Sequence, residues 1–335
     1  MIGSKLAAPV SKPKTRFITE AVRTVKAPKT EPRMPPATGP KNWKRVKNWF
    51  FAPARLEKFI LLLTITKTTN RRKKNALVEA EKRFIPNKTP NGTFLYFTVL
   101  SGNMKGAIVT GGAKGLGRKI ALMLAKEGYA VAINYNRSKK EAEETLAELG
   151  KIKKGCIALQ GDLTKEKNVK KLVSTAFRKF GRIDVLINNI GDFLYKPLLK
   201  TTPQEIGHVF RNNVITAFMC SREAIKVMQK QKYGRIINIG CTGCDELLAP
   251  ENTTPYYMAK TGVLLMTKAI ARSAGKGITV NAVSPGILKT SVVGPKGVTA
   301  KHYTTFDEVT KAIKSIIKSR KNGINLTVAR WRPYG

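Results

Sequence analysis

Acidic residues are scarce in this chain: 21 Asp and Glu face 62 Lys and Arg among 335 residues, a formal net charge of +41. So lopsided a balance is unusual for a soluble metabolic enzyme and suits contact with phosphate-bearing partners. Cysteine is nearly as rare, with Cys156, Cys220, Cys241 and Cys244 alone. Four thiols are too few for a disulfide scaffold of this size and point to a reducing compartment. The two histidines, His208 and His302, lie far apart and argue against a histidine metal site, so no metal is expected. The longest apolar run, from Phe59 to Thr66, is well short of the roughly 20 residues that span a bilayer. At 42% hydrophobic residues, however, the chain can bury a core, and global disorder is excluded.

The texture of the chain divides near Met104. Residues 1–103 hold 22 basic and 5 acidic residues, with a Pro- and Lys-rich linker, a weak helical pattern over 53–66 and the basic run Arg71–Lys74. Residues 104–335 hold the remaining 40 basic and 16 acidic residues and alternate in strand and helix signals. Short apolar runs at 107–110, 130–134, 156–159, 184–188, 235–239, 278–283 and 324–328 read as strands. Amphipathic stretches at 139–149, 165–180, 204–230, 257–274 and 306–318 read as helices. Seven strands with helices between them predict an α/β fold, a doubly wound parallel sheet of Rossmann type, preceded by an irregular basic arm.

A glycine-rich turn, Thr110-Gly111-Gly112-Ala113-Lys114-Gly115-Leu116-Gly117, joins the first strand of this region to its first helix. Such a turn lets backbone N–H groups and a helix N-terminus approach a pyrophosphate, though alone it also reads as a tight turn. Further along come Asp162-Leu163, Asn188-Asn189-Ile190-Gly191, Asn212-Asn213-Val214, Tyr256-Tyr257-Met258-Ala259-Lys260 and Pro285-Gly286-Ile287-Leu288-Lys289-Thr290. Tyr256 and Lys260 lie one helical turn apart, so phenol and ammonium share a face. An ammonium there is expected to lower the phenol's pKa.

In kind and order these motifs resemble the short-chain dehydrogenase/reductase family, and within it the 3-oxoacyl-carrier-protein reductases, from residue 104 to about 330. The resemblance implies a nicotinamide dinucleotide held by Thr110, Gly111, Lys114, Gly115, Leu116, Gly117, Asp162, Leu163, Asn188, Gly191, Pro285, Gly286 and Thr290. It also implies Tyr256 as proton donor, Lys260 as its partner and Asn213 as the support of a relay water. The segment after the second strand, Ile133 to Ser138, lacks the acid that NAD-preferring relatives use to bind the ribose. Arg137, Ser138 and Lys114 are instead placed to hold a 2′-phosphate, so NADP(H) is expected over NAD(H). Read as a plain solvated cation, Arg137 carries no such preference.

One departure concerns the serine that the family uses to polarise the substrate carbonyl. The chain reads Gly240-Cys241-Thr242-Gly243-Cys244, so Cys241 or Thr242 takes that place, and a thiol is a weak donor. Either Thr242 substitutes, or the reductase activity is weak or lost. The Cys241–Cys244 spacing alone is poor evidence for zinc or redox use and reads first as loop chemistry. A short stretch between Thr290 and Phe306 implies a small substrate lid.

Two functions follow. The first is an NADPH-dependent reductase of a small carbonyl substrate, homo-oligomeric and cytoplasmic. The second is a catalytically reduced relative recruited as an RNA-contacting subunit of a ribonucleoprotein, such as a mitochondrial ribosome in the matrix. There residues 1–103 would meet rRNA through Lys41–Phe51, where cations and aromatics interleave. The arm also reads as a targeting segment, or as a start misassigned upstream of Met104.

Overall fold

The computed structural model describes residues 104–289 and 299–330, with the backbone of two short strands, β1 (Ile85–Lys88) and β2 (Phe94–Phe97), paired antiparallel. The helix expected over 53–66 and the basic runs of residues 1–84 lie outside these described residues.

The seven strands stand where the apolar runs place them, to within a residue or two. They are β3 (Gly106–Val109), β4 (Ala130–Tyr135), β5 (Ile157–Gln160), β6 (Val185–Asn188), β7 (Gly234–Ile239), β8 (Ile278–Pro285) and β9 (Asn325–Val328). All pair in parallel, in the order β5-β4-β3-β6-β7-β8-β9. Strands β3 and β6 are buried at every residue, because helices cover both faces of the sheet.

Helices α1 (Gly115–Lys126), α2 (Lys139–Ile152) and α7 (Phe306–Lys318) cover one face, with Ile120, Leu124, Leu149 and Ile313 buried against Val109 and Ile187. On the other face lies α3 (Glu166–Phe180), whose Val169, Leu172, Val173, Ala176 and Phe180 form one buried stripe at helical spacing. It ends at Gly181, where φ is +77° and a side chain would be strained. The long helix α6 (Thr254–Ser273) and the segment from Pro203 to Gln231 complete the layer.

That last segment departs from the single helix expected over 204–230. It is α4 (Pro203–Phe210), a π-helical turn (Arg211–Ile215) and α5 (Thr216–Gln231). Thr216 Oγ1 donates to the Arg211 carbonyl five residues back, at 2.9 Å, within the widened turn. Hydrophobic periodicity is nearly blind to one inserted residue, and π-turns often lie at functional sites. This one carries Asn213.

The chain order reverses between β3 and β6, so the crevice of the sheet opens at the C-terminal ends of these two strands.

Candidate active site

The glycine-rich turn leaves β3 at that crevice and is held from the β6 side. Thr110 N donates to the Ile187 carbonyl at 3.0 Å, and Thr110 Oγ1 accepts from the backbone N–H groups of Asn189 (3.0 Å) and Ile190 (3.2 Å). Asn189 Nδ2 donates to the carbonyls of Thr110 (3.1 Å) and Gly111 (3.2 Å). Gly111 has φ +61°, and a Cβ on Gly117 would meet the Gly111 carbonyl and Asn189 Nδ2. At Gly111 and Gly117 the turn therefore has room for backbone alone, as a surface approached by a pyrophosphate requires.

Asn188, the residue expected to bind cofactor, is placed otherwise. Its Nδ2 donates to Ser221 Oγ (2.9 Å), Asn238 Oδ1 (2.8 Å) and the Ala217 carbonyl (3.3 Å), in the core beneath the crevice. Asn189, next in sequence, makes the contact with the turn. The Asn-Asn pair was the signal, and strand alternation could not say which member faced which way.

At the other end of the crevice, Asp162 Oδ1 accepts from Thr164 N (3.0 Å) and Thr164 Oγ1 (2.7 Å), and these bonds hold its carboxyl below the ordinary value. Leu163 is buried in the core. Arg137 is exposed and Ser138 caps α2 without a side-chain bond. Lys114, also exposed, reaches Glu141 at 3.8 Å. Leu116 is buried under the turn, and Gly115 opens α1 with φ +55°.

The residues expected to react gather around β7 and α6. Lys260 is buried and its Nζ donates to the Ile239 carbonyl at 2.8 Å; burial lowers its pKa to about 8. The ammonium lies 5.8 Å from the centroid of the Tyr256 ring. Tyr256 is half-buried, with Phe193 (4.9 Å) and Tyr257 (5.7 Å) set edge-on against its ring. The phenol's pKa is pushed up, by burial first and by Tyr257 second, opposite to the depression expected from Lys260. The reason is geometric: the Lys260 ammonium is directed to a backbone carbonyl.

Asn213 Nδ2 donates to the carbonyls of Asp192 (2.9 Å) and Val209 (3.0 Å), while its buried Oδ1 has no partner. Gly191 sits between: a Cβ there would meet Asn213 Oδ1 and lie 3.1 Å from Lys260 Nζ. The absence of a side chain at Gly191 thus keeps open a small space flanked by an unpaired acceptor and an ammonium.

Thr242 is buried; its N donates to the Pro285 carbonyl at 3.1 Å, and its Oγ1 also lacks a partner. Gly286 closes on β9 through a bond from its N to the Val328 carbonyl at 2.8 Å, and Thr290 lies outside the described residues. Cys241 and Cys244 are joined by a disulfide. Cys241 Sγ then carries no proton, which removes it as a carbonyl donor and leaves Thr242 as the hydroxyl of this loop. Among the described residues no cluster of three or more His, Cys, Asp or Glu could hold a metal ion, and no helix is long and apolar enough to cross a membrane.

These residues fit a nicotinamide dinucleotide: a turn that admits only backbone at Gly111 and Gly117, and two orphaned polar atoms where a reacting group would bind. The chain matches the short chain dehydrogenase family over residues 105–300. It is 38% identical to a 3-oxoacyl-[acyl-carrier-protein] reductase of Staphylococcus epidermidis over 55% of this chain and 75% of that protein. A 3-oxoacyl-[acyl-carrier-protein] reductase of Synechocystis is 37% identical over 56% and 75%. A variant of actinorhodin polyketide ketoreductase, solved with NADPH, superposes with a TM-score of 0.62 and 26% identity, over 67% of this chain and 95% of that one. An NAD+-bound xylitol dehydrogenase gives 0.61 and 26%, over 68% and 99%. With a Tyr256–Lys260 pair, an Asn213 set by its π-turn and a glycine-rich turn at the strand-order reversal, this chain belongs to the short chain dehydrogenase family.

Proposed function

We propose that the protein is an NADPH-preferring carbonyl reductase acting on a 3-oxoacyl-type substrate. The observation that carries this reading is the grouping of Lys260 Nζ, Asn213 Oδ1 and Gly191 beside Tyr256, with an ammonium and an unpaired acceptor around one open space. When bound, the nicotinamide supplies hydride to the carbonyl carbon. Tyr256 holds its proton firmly at neutral pH because burial raises its pKa, and a phenol that keeps its proton can deliver it to the developing alkoxide. Thr242 Oγ1, buried without a partner, polarises the carbonyl oxygen. Lys260 binds ribose hydroxyls, and Asn213 orients a water through which the Tyr256 proton is replaced.

NADPH preference is supported by the run Asn134-Tyr135-Asn136-Arg137-Ser138, which has no acid to repel a phosphate, and by the exposed cation of Arg137. The test is NADPH oxidation across 3-oxoacyl thioesters and other ketones, with calorimetric titration of both cofactors. Turnover with acetoacetyl thioesters and tighter NADPH binding are expected. Silence across the panel rejects the reductase reading, and tighter NADH binding rejects the preference.

A second reading is favoured by one observation, the net charge of +41: a relative of these enzymes recruited to an RNA-containing assembly through residues 1–103. Backbone neutralisation releases counterions, so the full chain would bind structured RNA with an affinity that falls steeply with salt. Binding that ignores salt, or a chain beginning at Met104 that binds equally well, rejects it.

A further inference from the structure

We propose that Cys241 and Cys244 form a reversible dithiol–disulfide couple that switches the carbonyl-polarising side of the site. The gating half of this inference rests on the reductase reading above. The two cysteines are joined in the structure, with their Cα atoms 5.9 Å apart, while Cys156 and Cys220 are free thiols. Both sulfurs belong to a small buried cluster with Leu264 and Ala282, and Tyr256 and Tyr257 pack against it. Thr242, with its unpaired hydroxyl, lies inside the four-residue ring that the bond closes. The loop starts two residues after Ile239, whose carbonyl anchors Lys260 Nζ. The bond therefore clasps a loop that packs against the proposed proton donor, Tyr256, and carries the candidate carbonyl donor, Thr242.

A structural role explains this bond poorly. Cross-links stabilise chiefly by closing long loops, and this one spans three residues in sequence. The turn is already held by backbone bonds: Thr242 N to the Pro285 carbonyl (3.1 Å), Leu248 N to the Gly243 carbonyl (2.9 Å) and Cys244 N to the Cys241 carbonyl (3.4 Å). What the bond adds is local: it ties together the two ends of the turn that carries Thr242, beside Tyr256 and Tyr257.

The chemistry is thiol–disulfide exchange with a dithiol reductant. Its thiolate attacks the sulfur of Cys241, which at 7% exposure is more accessible than Cys244 at 1%. The S–S bond breaks, Cys244 leaves as thiolate and takes a proton, and a mixed disulfide forms on Cys241. The reductant's second thiol then displaces Cys241. Two electrons and two protons pass to the protein, and the reductant becomes its own disulfide. The reverse exchange restores the bond. In the joined state Thr242 is held and the enzyme is active; in the open state the loop relaxes and turnover falls.

The experiment poises the full chain in buffers of reduced and oxidised dithiothreitol. Two quantities are read at each ratio: NADPH-dependent turnover, and the number of alkylated thiols by mass after denaturation. Thiols are expected to rise from two to four in one two-electron transition, with kcat falling at least ~10-fold across the same ratio as the positioned donor is lost. The double variant C241S/C244S should lose this dependence on poise. A thiol count that stays at two or at four at every ratio overturns the couple. Turnover that stays flat while the thiols titrate overturns the switch, as does a double variant that still responds. If that variant does not fold, the wild-type titration decides alone. Absence of turnover at every ratio defeats the reductase reading instead, and the couple then stands or falls on the alkylation count.

Discussion

The two halves of the crevice are built on opposite terms. Around the glycine-rich turn the groups that hold it are matched, although Asn134 Oδ1 and Asn188 Oδ1 below it have no partner: the Thr110 hydroxyl takes two backbone N–H groups and Asn189 Nδ2 serves two carbonyls. Around Tyr256 they are not: Asn213 Oδ1 and Thr242 Oγ1 are buried without partners, and the Lys260 cation is dehydrated. Leaving a buried polar atom unpaired costs on the order of 1–3 kcal/mol, so the second half is maintained at the expense of stability. A binding surface can be complete before its ligand arrives. A reacting site needs unused hydrogen-bonding capacity at the place where charge develops.

The sharpest break in this comparison is Tyr256→Phe. Turnover should fall by about 10²–10⁴ as the proposed proton donor is lost, while calorimetry shows cofactor affinity nearly unchanged. An equal loss of both would mean that the halves are not separable. Thr242→Val sharpens it in the other direction. Removing an unpaired hydroxyl should lower kcat by about 10² yet leave thermal stability equal or higher. A stability loss would show that Thr242 Oγ1 has a structural partner.

Asn189→Ala tests the matched half. Losing two hydrogen bonds at about 1 kcal/mol each should weaken NADPH binding by roughly 10-fold and lower the melting temperature, with kcat at saturating cofactor little altered. The pH dependence of binding comes next. Lys260 is protonated below about 8 and neutral above it. NADPH affinity of the free protein should therefore decline as pH rises through that value, in a calorimetric series that Lys260→Ala flattens.

The smallest effect lies outside the crevice, at the cap of α7. Glu308 accepts from Thr305 N at 2.8 Å and from Arg330 Nε at 2.8 Å, and its pKa is lowered from 4.5 to about 2. A carboxyl depressed in the folded state stabilises above its unfolded pKa, and that contribution fades as pH falls from 4.5 towards 2. Glu308→Gln should thus cost stability at pH 7, by no more than about 1 kcal/mol because water screens the pair, and the difference should shrink on acid titration.

Much of this was legible in the residues. Parallel strands buried on both faces leave unmistakable apolar runs, and β3 to β9 appear where those runs stand. The Tyr256–Lys260 pair was legible because four-residue spacing on a helix is a local fact. Asn189 was not, since choosing it over Asn188 depends on how the end of β6 meets the turn after β3, 79 residues away in sequence. The raised phenol of Tyr256 was missed for a similar reason. Spacing shows that Lys260 is near, but the Ile239 carbonyl that accepts its hydrogen bond comes from β7, outside the helix.

What the sequence alone determined is everything that depends on neighbours within a turn or a strand: the alternation of elements, the glycine-rich bend, the helix face of Tyr256 and Lys260, and the excess of positive charge. What only the tertiary structure decided is which polar atoms are satisfied. The π-turn that presents Asn213, the space kept open at Gly191, the unpaired hydroxyl of Thr242 and the joining of Cys241 to Cys244 against Tyr256 all arise where separate elements meet. Hydrogen-bond satisfaction is a property of three-dimensional neighbours, and no local pattern encodes it.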